Sequence, residues 1–253
     1  MKQTQRLDKI LAHMGIGTRS ELKRLTKSGS IFVNGVKVKD SGIQVNPDKD
    51  QIMVNGETVV YREFVYLMMN KPQGVVSATE DNRDRTVVDL LDDAYTPFEV
   101  FPVGRLDKDT EGLLLLTNDG KLAHNLLSPR KHVSKTYFAK VEWEVEEADR
   151  EAFAQGVTLD DGYETLPGIL NILNVGNKSA GEPSEIELTI MEGKFHQVKR
   201  MFQAVGKQVV YLKRISMGPL KLDENLRLGQ SRELSEDELL ALRNAHETMD
   251  SEN

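Results

Sequence analysis

The 253-residue chain has no cysteine. Disulfides and thiolate zinc sites are thereby excluded, and a reducing compartment is the natural setting. No apolar run comes near the length of a membrane span. The opening MKQTQRLDKILAHMG also lacks the apolar centre of a secretory leader, so a cytoplasmic protein is expected. Chemical signatures are missing too. There is no GxxxxGK(S/T), no GxGxxG after a strand and no GxSxG elbow. The five histidines, His13, His124, His132, His196 and His246, fall in no metal-ligand spacing such as HExxH. No cofactor and no metal are expected, and any catalysis must run on Asp, Tyr, Lys and Arg.

What is present is an ordinary globular composition, 39% hydrophobic and 29% charged, long enough for a large domain and a small one. The net charge of −7 looks unfavourable for a polyanionic partner, but it is unevenly spread. Residues 1–40 carry nine Lys/Arg against three acids, and residues 223–253 carry three against nine. Local charge, not the total, sets attraction to phosphate. A solvated helical face accounts for such a cluster equally well.

Leu7, Ile10, Leu11 and Met14 recur at helical spacing over residues 6–14. Thr18 and Glu21 form a capping-box pattern that opens a second helix, and Gly29 ends it. This helix turns Leu22 and Leu25 inward and Arg19, Lys23, Arg24 and Lys27 outward. Asn34-Gly35 and Asn55-Gly56 each join two short apolar runs, a hairpin signal. The stretches RLDKILAHMG, TRSELKRL and IFVNGVKV resemble the S4-type RNA-binding domain over residues 5 to about 50. In that family a helix pair presents basic residues to structured RNA. The resemblance implies contact mainly with phosphates, through Arg6, Arg19, Lys23, Arg24 and Lys27.

A linker is placed near residues 60–64. Beyond it the patterns predict strands over 64–69 (stopped at Pro72), 113–117, 185–191 and 209–212, and an exposed-edge strand over 135–145. Residues 75–78 read as strand or loop. Helical segments are predicted over 87–91, 121–127, 149–155, 196–205 (ended by Gly206) and 235–246. The class is α+β: a small N-terminal S4-like domain over 1–62, a mainly antiparallel-sheet domain over 63–246, and a frayed tail over 247–253.

The stretch GRLDKDTEGLLLLTNDG, residues 104–120, delivers Asp107 to the edge of a leucine-rich strand. Arg105 projects to the same side if the backbone is extended. Taken alone, a solvated acidic loop explains this stretch better. Spacing alone also makes Tyr137 a packing residue, Lys199 a surface lysine and Arg105 a partner for some nearby acid. Three more stretches change the reading: MMNKPQGVVSA (68–78), SPRKHVSKTYFAKV (128–141) and EGKFHQVKRMFQAVG (192–206). In this order, with GRLDKDTEGLLLLTNDG at the centre, the whole chain resembles the RsuA-type pseudouridine synthases. The Gly before Arg-Leu-Asp and the TNDG after the leucines favour this branch over the RluA-type enzymes.

The resemblance implies a pseudouridine-synthase sheet fold, no cofactor, and isomerisation of uridine within RNA. By motif position Asp107 matches the catalytic aspartate, and Arg105 the arginine that fills the space of the flipped nucleotide. Tyr137 matches the tyrosine that stacks on the uracil, and Lys199 the base that pairs with the carboxylate. Asp109 falls outside the pattern, and His196 and Gln197 are read as bracing only. The reaction breaks C1′–N1, turns the ring and joins C5 to C1′, so nothing is oxidised or transferred elsewhere. The carboxylate either attacks covalently or abstracts a sugar proton.

The implied partner is ribosomal RNA or a pre-ribosomal particle, with no membrane and a monomeric protein. The target is 16S rRNA of the small subunit, with 23S rRNA as runner-up. A binding-only S4 assembly factor is the alternative of another class. A tyrosyl-tRNA synthetase relative fails for want of HIGH-like and KMSKS-like segments.

Overall fold

The computed structural model describes residues 4–247. Residues 248–253, most of the segment read as a frayed tail, lie outside the described residues. The chain divides into two compact units: Met1–Val65 with Leu91–Val100, and Tyr66–Leu90 with Phe101–Asn253.

The first unit runs β1 (Gln5–Arg6), α1 (Leu7–His13), α2 (Arg19–Ser28), β2 (Ile31–Val33), β3 (Val36–Lys37), β4 (Gln44–Val45), β5 (Ile52–Val54) and β6 (Glu57–Val59). The capping box at α2 is formed in both directions, with the Thr18 side chain accepting from the Glu21 amide and the Glu21 carboxylate from the Thr18 amide. Gly29 ends the helix in the left-handed region at φ 80°. Both Asn-Gly pairs make tight hairpins with positive φ at each residue, joining β2 to β3 and β5 to β6. Leu7, Ile10, Leu11, Leu22, Ile31 and Ile52 form the core, each fully buried aliphatic contributing roughly 1.5–3 kcal/mol. On α2 the second buried position is Thr26, not Leu25, which is only partly buried. The Thr26 hydroxyl is satisfied within the helix by donating to the Leu22 carbonyl at 2.8 Å. From the later segment, Phe98 and Val100 pack with Val65 and Met14.

The second unit contains β7 (Tyr66–Lys71), β8 (Phe101–Pro102), β9 (Glu111–Thr117), α3 (Gly120–Leu127), β10 (Lys135–Val141), α4 (Glu147–Gln155), β11 (Ile169–Asn174), β12 (Ser184–Ile190), α5 (Gln197–Ala204), β13 (Val209–Met217), β14 (Leu220–Lys221), β15 (Ser231–Glu233) and α6 (Glu236–Glu247). Its strands form one sheet ordered β11-β12-β10-β13-β9-β7-β15, with β14 on β13 and β8 on β9. The ladders are antiparallel except β13 with β9. The architecture is α+β, as expected. Leu113, Leu114, Leu115 and Leu116 are all 0% exposed, so both faces of β9 are covered and the unbroken apolar run is explained.

Several local expectations are corrected. The strand over 135–145 is not an edge: β10 is paired with β12 on one side and β13 on the other. Its alternation reports one buried and one half-covered face, which says nothing about lateral neighbours. The strand expected over 209–212 runs on to Met217. Residues 75–78, read as strand or loop, are loop with a single bridge from Val76 to Thr86.

Candidate active site

Asp107 sits in the loop between β8 and β9, and that loop is tied down from several directions. The Lys71 ammonium is fully buried and donates to the carbonyls of Pro72, Asp107 and Thr110 at 3.1, 2.9 and 2.9 Å. Burial pushes its pKa down to about 8, against the pull of Asp107 and Asp109. The Ser77 hydroxyl donates to the Leu106 carbonyl at 2.9 Å and accepts from the Leu106 amide at 3.1 Å. The Gly74 amide donates to the Lys108 carbonyl, and the Thr110 amide closes a turn on the Asp107 carbonyl. Beyond the loop, Gly112 at φ 103° brings β9 so close to β13 that a Cβ there would lie 2.2 Å from the Arg214 carbonyl oxygen. Only glycine fits that approach.

The carboxylate itself is half-buried, its side chain 27% exposed. Lys199, on the first turns of α5, reaches it with Nζ 3.0 Å from Asp107 Oδ2 and 2.6 Å from Asp109 Oδ1. Burial works against the Lys199 charge, but the bonds to Asp109 and Asp107 outweigh it and its pKa lies above the ordinary lysine value. Asp109 is mostly exposed, its side chain 68% accessible. His196 precedes α5 in the left-handed region, with Nε2 3.5 Å from Asp107 Oδ1 and its ring stacked on Phe195 at 3.7 Å between centroids.

Next to the carboxylate lies an open pocket of about 430 Å³, within the size range of small-ligand sites. Asp107, Arg105 and Tyr137 all line it. Tyr137 is 8% exposed, on the buried face of β10. Arg105 is exposed, and its side chain has no hydrogen bond or ion pair among the described residues. Lys199 is not a lining residue; it grips the carboxylate from outside the pocket. Gln197 braces the rim, accepting from the Lys194 amide at 2.9 Å and donating to Glu192 at 2.7 Å. Glu192 also accepts from the Tyr163 hydroxyl at 2.6 Å. No three His, Asp or Glu side chains among the described residues are grouped to hold a metal ion.

Three lining or supporting residues escaped the sequence reading: Lys71, Lys135 and Arg214. The Asn-Lys-Pro at the end of β7 was a usable signal for the first, but nothing in the sequence announced a lysine or arginine turned inward from a strand. In the first unit, Arg19, Lys23 and Lys27 recur at four-residue spacing on the exposed face of α2, and Arg24 is also exposed. Arg6 is engaged by Asp8, at 3.0 and 2.7 Å.

Residues 65–204 match the RNA pseudouridylate synthase family, and residues 5–52 match the S4 domain. An uncharacterised RNA pseudouridine synthase of Bacillus subtilis (YtzG) is 54% identical over 92% of this chain and 96% of its own length. Ribosomal large subunit pseudouridine synthase B of Bacillus subtilis is 41% identical over 94% of this chain and 96% of its own. Ribosomal small subunit pseudouridine synthase A of Escherichia coli is 36% identical over 94% and 99%. A crystal structure of a pseudouridylate synthase superposes with a TM-score of 0.64 at 36% identity, over 94% of this chain and 99% of that one.

Proposed function

The chain belongs to the RNA pseudouridylate synthase family, isomerases acting on RNA, and on that premise we propose that it converts a specific uridine of ribosomal RNA to pseudouridine with Asp107 as the catalytic carboxylate. The observation that carries this reading is that Asp107 and Tyr137 line one pocket, with Asp107 held 3.0 Å from Lys199. A carboxylate fixed this way is aimed, which is what attack on C1′ or abstraction of a sugar proton needs. Arg105, exposed at the rim and without a hydrogen bond or ion pair among the described residues, can enter the stack that the target nucleotide leaves. Flipping the uridine costs about a few kcal/mol, and stacking on Tyr137 returns roughly 1–3 kcal/mol. Arg19, Lys23, Arg24 and Lys27, together with Arg6, supply phosphate contacts for the rest of the RNA.

We take 16S rRNA as the target, a reading supported by SPRKHVSKTYFAKV and EGKFHQVKRMFQAVG and by the likeness to small subunit synthase A over 99% of its length. The 23S reading is favoured by one observation, the 41% identity to large subunit synthase B. Tritium release from 16S and 23S rRNA labelled at uridine C5, naked and as particles, separates them. Release confined to the 16S substrate is expected. Release from 23S alone reverses the assignment, and binding without release from any substrate leaves an assembly factor.

A further inference from the structure

The pocket beside Asp107 contains two cations that the proposed mechanism has not used. Arg214 is 2% exposed and Lys135 9% exposed, and both line the pocket. In the antiparallel ladder of β10 and β13, Arg214 stands directly opposite Tyr137. Lys135 is two residues from Tyr137 on the same buried face of β10. Both cations therefore sit on the sheet face that carries the tyrosine, at the buried end of the pocket.

Their partners leave donors to spare. The Arg214 Nε donates to the Leu113 carbonyl at 2.8 Å, while its buried Nη2 has no hydrogen-bond partner. The Lys135 ammonium donates to the Val133 carbonyl at 2.9 Å. Among the described residues neither makes an ion pair. Burial, with the Arg214 charge added, pushes the Lys135 pKa down to about 8. Two unpaired cations on one buried face are unfavourable unless something accepts their hydrogen bonds. An RNA phosphate, flanked by two riboses, belongs at the open rim. A planar base turned into the pocket against Tyr137 presents two carbonyl oxygens to the sheet.

We propose that Arg214 and Lys135 hold the carbonyl oxygens of the flipped pyrimidine and take up the negative charge the ring acquires when the C1′–N1 bond breaks. The inference rests on the pseudouridine-synthase reading of this pocket. In that step the bonding pair leaves with N1 and spreads over O2 and O4, whether Asp107 forms a bond to C1′ or removes a sugar proton. When C5 later closes on C1′, the Asp107 oxygen leaves C1′ or, on the other route, the abstracted proton returns to the sugar; the C5 proton is then released, N1 takes one up, and the ring ends neutral. Donors placed where charge develops accelerate the step more than they tighten binding.

The test compares single-turnover tritium release and RNA affinity for wild type, Lys135→Met, Arg214→Met and Arg214→Lys, on 16S and 23S transcripts labelled at uridine C5. Each Met variant is expected to lose about 100-fold in rate, with RNA Kd within about threefold and an unchanged salt dependence. Arg214→Lys, which keeps a cation, is expected to recover at least about tenfold over Arg214→Met. A tenfold rise in Kd with a salt slope smaller by about one would mean a phosphate contact and overturn the proposal. Unchanged rates in an active enzyme overturn it as well. If Arg214→Met does not fold, Lys135→Met decides, since it keeps the Arg214 bond to the Leu113 carbonyl of β9. Wild-type silence on every RNA overturns the functional reading first and this inference with it.

Discussion

Lys71 and Lys135 are 0% and 9% exposed, and each is pushed down to about 8 by burial. Free lysine holds its proton to about 10.4, so between roughly pH 8 and 10.4 the unfolded chain binds more protons than the folded one. Stability contributed by these groups therefore rises with pH across that window and is at its lowest below pH 8. Lys135→Met removes its share. The stability of wild type relative to this variant is expected to increase by on the order of 1–3 kcal/mol between pH 7.5 and 10, measured as urea midpoints at both pH values. A gap that does not change would mean Lys135 is not held in a desolvated site. Lys71 is tolerated because three carbonyls accept from it, whereas Lys135 has one, that of Val133. At Asp107 the tie is to Lys199, and its sharing with Asp109 is a feature that motif matching did not reveal.

Elements succeed or fail in being readable according to whether their cause is local. The capping box of α2, both Asn-Gly hairpins and the leucine run of β9 are set by neighbours in sequence, and all appear where the pattern puts them. The interior position of β10, the full length of β13 and the edge strands β11 and β15 depend on partners far along the chain, so alternation and turn signals could not supply them. The site divides the same way. Asp107, Arg105, Tyr137 and Lys199 were legible through motifs, whereas Arg214 and Lys135 needed the sheet register to reveal them. The parallel contact of β9 with β13 is the element on which Arg214 depends, since it pairs Gly112 with Arg214. Gly112→Ala places a Cβ against the Arg214 carbonyl at a φ of 103°. It is expected to cost about 2–4 kcal/mol in unfolding free energy and to lower activity by shifting Arg214. Chemical denaturation checks the first, and a wild-type midpoint would contradict the close approach.

At the scale of the whole molecule, an acidic protein of net charge −7 is read as binding a polyanion, which requires its positive charge to be concentrated. Arg19, Lys23 and Lys27 on α2 provide that concentration. Charge reversal tests it better than truncation, because Leu91–Val100 belongs to the same compact unit as residues 1–65. Removing those residues would strip Val65 and Met14 from Phe98 and Val100. The triple variant Arg19→Glu, Lys23→Glu, Lys27→Glu is expected to weaken rRNA binding at least about tenfold at low salt and to reduce the salt slope by about two to three. Affinity within twofold of wild type would remove α2 from the interface. Whether Asp107 drives uridine isomerisation in RNA is decided by tritium release from C5-labelled rRNA by wild type and Asp107→Ala, with RNA affinity measured in parallel. Release is expected from wild type and none from Asp107→Ala, with a Kd for the variant within about threefold of wild type. Release by Asp107→Ala at a rate comparable to wild type would contradict that role for Asp107.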